Sequence, residues 1–299
     1  MTESNLVLEK YLNYKPVNVA ELSGGLVHQV YRIFGEDGTY IVKIRGKSAS
    51  QLENVTTQPH EIEYEAEGIK IFSGIAPKNF PLLLGEDIEN GIIVLSDLLP
   101  SGGDTLQNMI FSSGITPGFA FKFGELIACV QSKLPVVDEF REDDKSFFEQ
   151  ILNFRFSRIP GFNHLQLLNK GNKGLIMGSL SPKNILIDTE GEIKICDLET
   201  VCVGIKEFDI GYALGHLLLN SDARREIFDA FFSGFETSFG LTFNKNLINQ
   251  YIAATILYRT YRTNVPYKIN SSPDKIARLS ERATEYLLNE DESIDILLT

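Results

Sequence analysis

The sequence predicts an α+β fold with two lobes, a small antiparallel-sheet lobe followed by a larger, mostly helical lobe. Three observations predict it. Five short apolar runs and one amphipathic segment fill the first part of the chain, segments with helical periodicity dominate the rest, and a Gly-, Pro- and Ser-rich stretch lies between. A chain of 299 residues can bury a substantial core in one large domain or two lobes. We therefore expect residues 1–96 to form the sheet lobe, 97–103 a linker and 104–299 the helical lobe.

The sheet lobe is predicted from short apolar runs that are separated by glycine-containing turns. The predicted strands are 19–22, 27–34, 40–44, 82–85 and 92–95. Residues 59–73 are predicted to form one helix, because Pro59 suits a first helical turn and Gly74 suits a stop. The apolar face of this helix would consist of Ile62, Ala66, Ile69 and Phe72.

The second half of the chain is predicted to be mostly helical. The expected helices are 117–134, 143–154, 206–219, 221–238, 244–262 and 273–290. Pro117 near the start of the first of them and Pro135 after its end are typical helix boundaries.

Composition excludes several classes of function. The net charge of −12 argues against binding to nucleic acid or to an anionic membrane, since both need a basic surface. The cysteines, Cys129, Cys196 and Cys202, lack C-x-x-C spacing and suit small buried thiols in a reducing compartment. The histidines, His28, His60, His164 and His216, show no metal-ligand spacing. No signal peptide and no membrane span is recognised, so we expect a cytoplasmic protein, whose oligomeric state the sequence leaves open.

A hairpin is predicted over residues 185–198, where two apolar runs flank the three-residue loop 189–191, which ends in glycine. If residue 188 faces 192, then Asn184 at the start of one strand faces the end of its neighbour, next to Asp197. Glu199 follows two residues later. Oxygen ligands at one end of a sheet suit Mg²⁺, which proteins usually hold with one or two side chains plus phosphates.

Residues 176–199 resemble the catalytic and metal loops of the aminoglycoside phosphotransferase superfamily, the choline kinase-like relatives of protein kinases. That family carries His-Gly-Asp-x-x-x-x-Asn, then a short hairpin and a metal-binding Asp. Asn184 and Asp197 match the pattern, whereas Met177 holds the His position and Ser179 the position of the catalytic Asp. The resemblance implies a kinase-like, two-lobed fold with the hairpin at the cleft.

Residues 197–199, Asp-Leu-Glu, are similar to the Asp-x-Glu motif of the methylthioribose kinase branch. That branch continues into Phe-Asp-Ile-Gly, which this chain has at 208–211. The metal ligands that the resemblance implies are Asn184, Asp197 and Glu199. For Glu199 the alternative is a solvated loop carboxylate. Asp209 is expected to cap the 206–219 helix and to brace the loop before it.

The resemblance also implies a nucleotide site in the sheet lobe. A turn containing Gly24 and Gly25 would cover the triphosphate, the alternative being an ordinary Gly-Gly hairpin turn. Backbone groups of Ser96 and Leu98 would meet the adenine edge, because Asp97 matches the acidic residue that follows the linker strand in related kinases. The alternative for Asp97 is an ordinary linker aspartate.

Lys43 occupies the position of the lysine that contacts the α- and β-phosphates in the family. An edge-strand lysine with a solvated head is the alternative. Its predicted partner is Glu65, because Ile69 and Phe72 follow at the four- and seven-residue offsets of the family pattern. The competing acidic residues on the same segment are Glu61, Glu63 and Glu67.

The implied activity is phosphotransfer from ATP, with Mg²⁺, to a hydroxyl of a small molecule. Ser179 cannot act as an anionic base at pH 7, and Met177 would pack as an apolar plug, so weakened chemistry is expected. An inactive pseudokinase that binds nucleotide is the alternative function, and an ATP-free scaffold is a third. The acceptor is left open. Arg259 and Arg262 would either reach an anionic or polyol acceptor or be solvated.

Overall fold

The computed structural model describes residues 18–22, 27–46, 58–239, 243–261, 268–289 and 293–299. The chain divides into two compact units. The sheet unit contains the described residues up to Gly103 together with Ile187–Glu199, and the helical unit contains Asp104–Leu186 and Thr200–Thr299. The α+β class with a sheet lobe and a helical lobe is thereby confirmed. The boundaries 1–96, 97–103 and 104–299 stay a prediction; the structure groups the hairpin segment with the sheet unit.

The sheet unit is built on a five-stranded antiparallel sheet with the order β1-β2-β3-β5-β4. Its strands are β1 Asn18–Leu22, β2 His28–Phe34, β3 Thr39–Arg45, β4 Leu83–Asp87 and β5 Ile92–Ser96. Each corresponds to a predicted strand, with ends shifted by a residue or two. One face carries a small core of Ile33, Val42, Ile92 and Val94. Because side chains alternate along a strand, Lys43 lies on the face opposite Val42.

One α-helix of the sheet unit, α1, spans Ile62–Ile75 and follows a 3₁₀ turn at Pro59–Glu61. The predicted apolar face is buried: Ile62, Ala66, Ile69 and Phe72 are at most 1% exposed. The expectation that the helix stops at Gly74 is wrong by two residues, because the helix continues through Gly74 to Ile75. The last turn closes after it, where the Ala76 N–H donates to the Phe72 carbonyl at 2.9 Å.

The helical unit contains all six predicted helices. Its helices are α2 Leu106–Ser112, α3 Pro117–Lys133, α4 Asp144–Phe156, α5 Lys206–Leu219, α6 Arg224–Phe239, α7 Lys245–Tyr261, α8 Pro273–Leu288 and α9 Asp295–Leu298. The short helices α2 and α9 were not predicted, since two turns or fewer show little periodicity. The predicted ends at 262 and 290 lie outside the described residues. Every residue of α5 except Lys206 is buried. This helix is therefore a fixed support for the segment of chain that leads into it.

Further short strands lie before and after the loops that contain the candidate site residues. They are β6 Gly103–Thr105, β7 Lys173–Ile176, β8 Ile185–Asp188, β9 Ile193–Ile195 and β10 Cys202–Ile205. β7 and β10 pair antiparallel, with Gly174 opposite Gly204. β7 runs into residue 177, and β10 runs into α5. The pair therefore holds the loop that begins at Met177 next to the start of α5.

The predicted hairpin turn is present. The Asp188 N–H donates to the Glu192 carbonyl at 3.1 Å, so residue 188 faces 192 as expected. Gly191 has φ +78°, the left-handed conformation for which glycine is preferred. Among the described residues, no helix is long and apolar enough to cross a bilayer.

Candidate active site

Lys43 lies in the middle of β3, between Val30 on β2 and Ile93 on β5. Its ammonium nitrogen is 2.5 Å from Oε1 of Glu65 on α1. Lys43 is 5% exposed and Glu65 is 2% exposed. The predicted pairing of these two residues is therefore present, and the alternative of a solvated lysine head is wrong. Their role in nucleotide binding stays a prediction.

The same ammonium group also contacts Asp197, with Nζ 2.7 Å from Oδ1. Burial by itself would lower the pKa of Lys43, but the charges of Asp197, Glu65 and Glu199 outweigh that effect and raise the pKa above its usual 10.5. Lys43 is therefore a permanent cation held between two carboxylates.

Asp197 has φ +64°, a left-handed conformation found at no other non-glycine residue that the structure describes. Asp tolerates this region better than most residues, yet the conformation costs of order 1–3 kcal/mol and persists only where its surroundings impose it. Such strain is concentrated at functional sites. Asp197 lies just after β9, and its side chain keeps 21% of its surface exposed.

His28, the first residue of β2, lies beside two carboxylates of this site and was not predicted from the sequence. Its Nδ1 is 3.0 Å from Oε2 of Glu199, and its Nε2 is 3.7 Å from Oε2 of Glu65. The His28 ring is 3% exposed. Metal-ligand spacing does not reveal this histidine, because its neighbours come from distant parts of the sequence. The sequence offered one signal for it. Side chains alternate along a strand, so residues 28 and 30 lie on the sheet face that carries Lys43.

The net charge of Lys43 and the carboxylates near it suits a divalent cation. Three carboxylates, Glu65, Asp197 and Glu199, act on one ammonium group, Lys43, so that these four groups carry a net charge of −2. Oε2 of Glu65 is buried and accepts no hydrogen bond from the part of the chain that the structure describes. Carboxylate oxygens are the preferred ligands of Mg²⁺. The residues present therefore suit the Mg²⁺ that the sequence analysis predicted.

In the helical unit, the loop after β7 holds the residues that match the family's catalytic loop. Asn184 is 3% exposed and donates from Nδ2 to the Ser179 carbonyl at 3.0 Å and to Ser179 Oγ at 3.3 Å. Ser179 and Asn184 are thus in contact, as the five-residue spacing of that pattern would require. Asn184 and Asp197 belong to different units, and their joint role as metal ligands stays a prediction.

Asp209 supports this loop from α5. Its buried carboxylate accepts the Met177 N–H at 2.7 Å and the Gly178 N–H at 2.9 Å. Burial raises the pKa of Asp209 to about 6, against the lowering effect of these two hydrogen bonds and of Arg155. Asp209 therefore braces a loop, as expected, but it is the loop after β7 at Met177 and Gly178 and not the one directly before the helix. The expected capping of the helix is wrong, because Asp209 is the fourth residue of α5 and its oxygens serve the loop.

Further contacts fix the same loop. Arg155 on α4 donates to the Gly178 carbonyl at 2.6 Å, and Thr200 Oγ1 donates to the Met177 carbonyl at 2.9 Å. Gly178 has φ +75°, and a Cβ there would lie 2.4 Å from the Thr200 carbonyl oxygen. The Met177 side chain is 1% exposed, as an apolar plug should be. The loop is therefore held rigidly without the family's His.

The stretch after β5 is held by side-chain contacts. Asp97 forms a two-point ion pair with Arg32, at 2.9 Å and 3.2 Å, and also accepts the Leu99 N–H. The Ser96 N–H donates to the Leu82 carbonyl at 2.9 Å and is thus used within the sheet. The proposed contacts of Ser96 and Leu98 with adenine stay a prediction.

The remaining candidates divide into two groups. Gly24, Gly25 and Arg262 lie outside the described residues. Arg259 is half-buried and donates to the Tyr212 hydroxyl at 2.9 Å, so that the fully solvated alternative is wrong for this arginine.

Comparisons with solved structures identify the same fold in kinases. Choline kinase LicA from Streptococcus pneumoniae is 17% identical, with a TM-score of 0.57 over 95% of this chain and 98% of that one. Spectinomycin phosphotransferase APH(9)-Ia, in complex with ADP and spectinomycin, is 14% identical, with a TM-score of 0.55 over 99% and 95%. Macrolide 2'-phosphotransferase MphH from Brachybacterium faecium is 14% identical, with a TM-score of 0.51 over 98% and 100%. Neither a family model nor a curated protein matches the sequence.

Proposed function

We propose that this chain, which has the kinase-like fold of the aminoglycoside phosphotransferase and choline kinase-like superfamily, binds ATP with a divalent cation and transfers phosphate to a hydroxyl of a small molecule. The observation that carries the proposal is the buried Lys43, held between Glu65 and Asp197. A buried lysine with two carboxylate partners is costly to maintain for stability alone. In phosphoryl transfer, the same arrangement places a cation against the phosphates and a carboxylate against the metal.

The proposed roles follow from the chemistry of each side chain. Lys43 would bind phosphate oxygens, with Glu65 holding its ammonium group in place. Asp197, Glu199 and Asn184 would hold Mg²⁺, which supplies neutralisation of the charge on the transferred phosphate. Gly24 and Gly25 would offer backbone amides to the phosphates, and Ser96 and Leu98 would lie at the adenine.

Ser179 would face the acceptor hydroxyl, as the catalytic Asp does in the family. A serine hydroxyl can accept a hydrogen bond and orient the acceptor, but it cannot remain ionised at pH 7. Loss of a general base typically costs ~10²–10⁴-fold in rate. Positioning and electrostatics carry much of phosphoryl transfer, so slow turnover is the expected outcome.

Nucleotide binding is tested by thermal denaturation of the full chain. Mg-ATP at 100 times its Kd should stabilise the fold by about 2.7 kcal/mol. The shift should require the divalent cation and should shrink in Asp197→Asn. Asp188→Asn, in the same hairpin, is the matched control and should keep the full ligand-induced shift. An unchanged melting temperature at millimolar Mg-ATP would refute the proposal.

A pseudokinase is the second candidate function, and the replacements at Met177 and Ser179 favour it. The two candidates differ in ATP consumption that depends on an acceptor. Amino sugars, choline-like alcohols and methylthioribose form a suitable panel. Nucleotide binding without consumption on any acceptor would favour the pseudokinase. We propose the cytoplasm as the compartment, because Cys129, Cys196 and Cys202 lack the spacing typical of a disulfide framework.

A further inference from the structure

We infer that His28 is a nitrogen ligand of the divalent cation, so that the site selects first-row transition metals such as Mn²⁺ over Mg²⁺. One ligand atom each from His28, Asp197 and Glu199 lies within 4.8 Å of the others. Metal–ligand distances of about 2.1 Å place neighbouring ligand atoms roughly 3 Å apart around an octahedral ion. The separation of 3.0 Å between His28 Nδ1 and Glu199 Oε2 meets that requirement.

The other ring nitrogen of His28 supports the assignment. Metal-binding histidines generally direct that nitrogen to a carboxylate, which fixes the ring and strengthens the ligand. Here Nδ1 faces Glu199, and Nε2 faces Oε2 of Glu65 at 3.7 Å. That oxygen is buried and accepts no hydrogen bond within the described residues.

The donor chemistry determines the class of metal. Carboxylate and water ligands suit both Mg²⁺ and Mn²⁺, whereas an added imidazole ligand favours first-row transition metals, whose affinity for nitrogen ligands rises from Mn²⁺ towards Cu²⁺. Lys43 and its three carboxylate neighbours carry a net charge of −2, which matches a dication. The inference rests on the proposed function for what the cation does, but binding of the cation itself needs neither nucleotide nor turnover.

The test measures Mn²⁺ binding to the full chain without nucleotide, by titration calorimetry and by pulsed electron paramagnetic resonance. The wild type should bind Mn²⁺ more tightly than Mg²⁺ and show ¹⁴N coupling to the bound ion. His28→Gln should lose that coupling and bind Mn²⁺ at least about tenfold more weakly, with Mg²⁺ affinity changed much less. His164→Gln, which changes another largely buried histidine, should behave as the wild type.

Two outcomes would overturn the inference: wild-type Mn²⁺ without ¹⁴N coupling, or coupling that persists in His28→Gln. The wild-type spectrum decides even if His28→Gln misfolds. Glu199→Gln provides a second variant, in which Mn²⁺ should bind more weakly while the residual bound ion keeps its nitrogen coupling. Failure of the proposed function appears separately, as the absence of any Mg-ATP or Mn-ATP stabilisation in a chain that still binds Mn²⁺.

Discussion

The carboxylate of Asp209, on α5, accepts a hydrogen bond from the backbone N–H of Met177, the residue after β7, at 2.7 Å. Asp209 also holds the next N–H, and both amides are buried. Asp209→Ala should therefore destabilise the fold by about 2–4 kcal/mol, because two buried donors lose a charged acceptor. Urea denaturation measures this. Asp222→Ala, which removes an exposed partner of Lys275, should cost less than about 1 kcal/mol. Equal losses in both variants would contradict the bracing role.

The raised pKa of Asp209 predicts a pH dependence of stability. The folded-state pKa is about 6, against an ordinary value of 3.8. Between these values the folded state binds more protons than the unfolded state, so the free energy of unfolding should fall as pH rises from about 4 to about 6. The contribution of Asp209 is up to about 3 kcal/mol. Comparing wild type with Asp209→Asn across this range isolates it, and parallel curves would show that Asp209 does not titrate there.

Lys43 and Glu65 should affect nucleotide binding unequally. Lys43→Ala removes the cation that would meet the phosphates, whereas Glu65→Ala only releases that cation from one of its partners. We expect the Mg-ATP-induced thermal shift to be abolished by the first change and reduced by the second.

Removing either partner also leaves a buried charge with less compensation, at a cost of about 3–5 kcal/mol in unfolding free energy. Lys70→Ala breaks the exposed Lys70–Glu67 pair of α1 and is the control, with a loss below about 1 kcal/mol. A Lys43→Ala variant that retains the full nucleotide shift would remove Lys43 from the site.

Ser179→Asp should raise ATP turnover, by up to ~10²-fold if a general base is the missing part. The position is half-buried and within 3.3 Å of Asn184, so a carboxylate there would be oriented by the amide. Met177→His can be combined with it to restore the polar contacts of the loop. Nucleotide affinity should change little, since neither side chain is proposed to touch adenine.

Steady-state assays of ATP consumption provide the measurement for Ser179. Ser113→Asp adds the same charge at an exposed helix end and should have no effect on turnover. If the wild type already runs as fast as an ordinary kinase, and Ser179→Asp is slower, then another group supplies the base.

Gly178→Ala should be severely destabilising. An alanine at φ +75° is strained, and its Cβ would lie 2.4 Å from the Thr200 carbonyl oxygen. Gly114 has almost the same φ, +77°, but a Cβ added there would meet nothing within 4 Å, so Gly114→Ala should cost only about 1 kcal/mol. Chemical denaturation of the two variants separates backbone strain from the steric clash. A similar loss in both would mean that the loop moves to accommodate the methyl group.

Local patterns were enough to predict much of this structure. Alternation and glycine placed β3 and the 189–191 turn, and helical periodicity placed α1 with its buried face. These features depend on residues that are close in sequence. The pairing of Lys43 with Glu65 came instead from the family resemblance, whose pattern of apolar residues, here Ile69 and Phe72, selects Glu65.

Apart from that pairing, the features that depend on distant residues were not predicted. The β7–β10 pair joins segments too short and too far apart to be recognised from either alone. His28 meets Glu199 only because the sheet and the hairpin segment fold into one unit. Asp209 accepts hydrogen bonds from the loop after β7 and does not cap its own helix. This depends on the β7–β10 pair, which places that loop next to the start of α5. No local propensity encodes such contacts.

The left-handed backbone at residue 197 limits which amino acids can occupy that position. Position 197 has a conformational requirement, which Gly, Asn and Asp meet most easily, and under the proposed function it also has a chemical requirement for an anion. Only Asp satisfies both. A lineage that abandoned the cation would keep the shape of the turn most readily by drifting to Asn or Gly. If the proposed cation site is right, the residue at position 197 in related sequences should therefore indicate whether the cation is still bound, with Asp where it is and Asn or Gly where it is not.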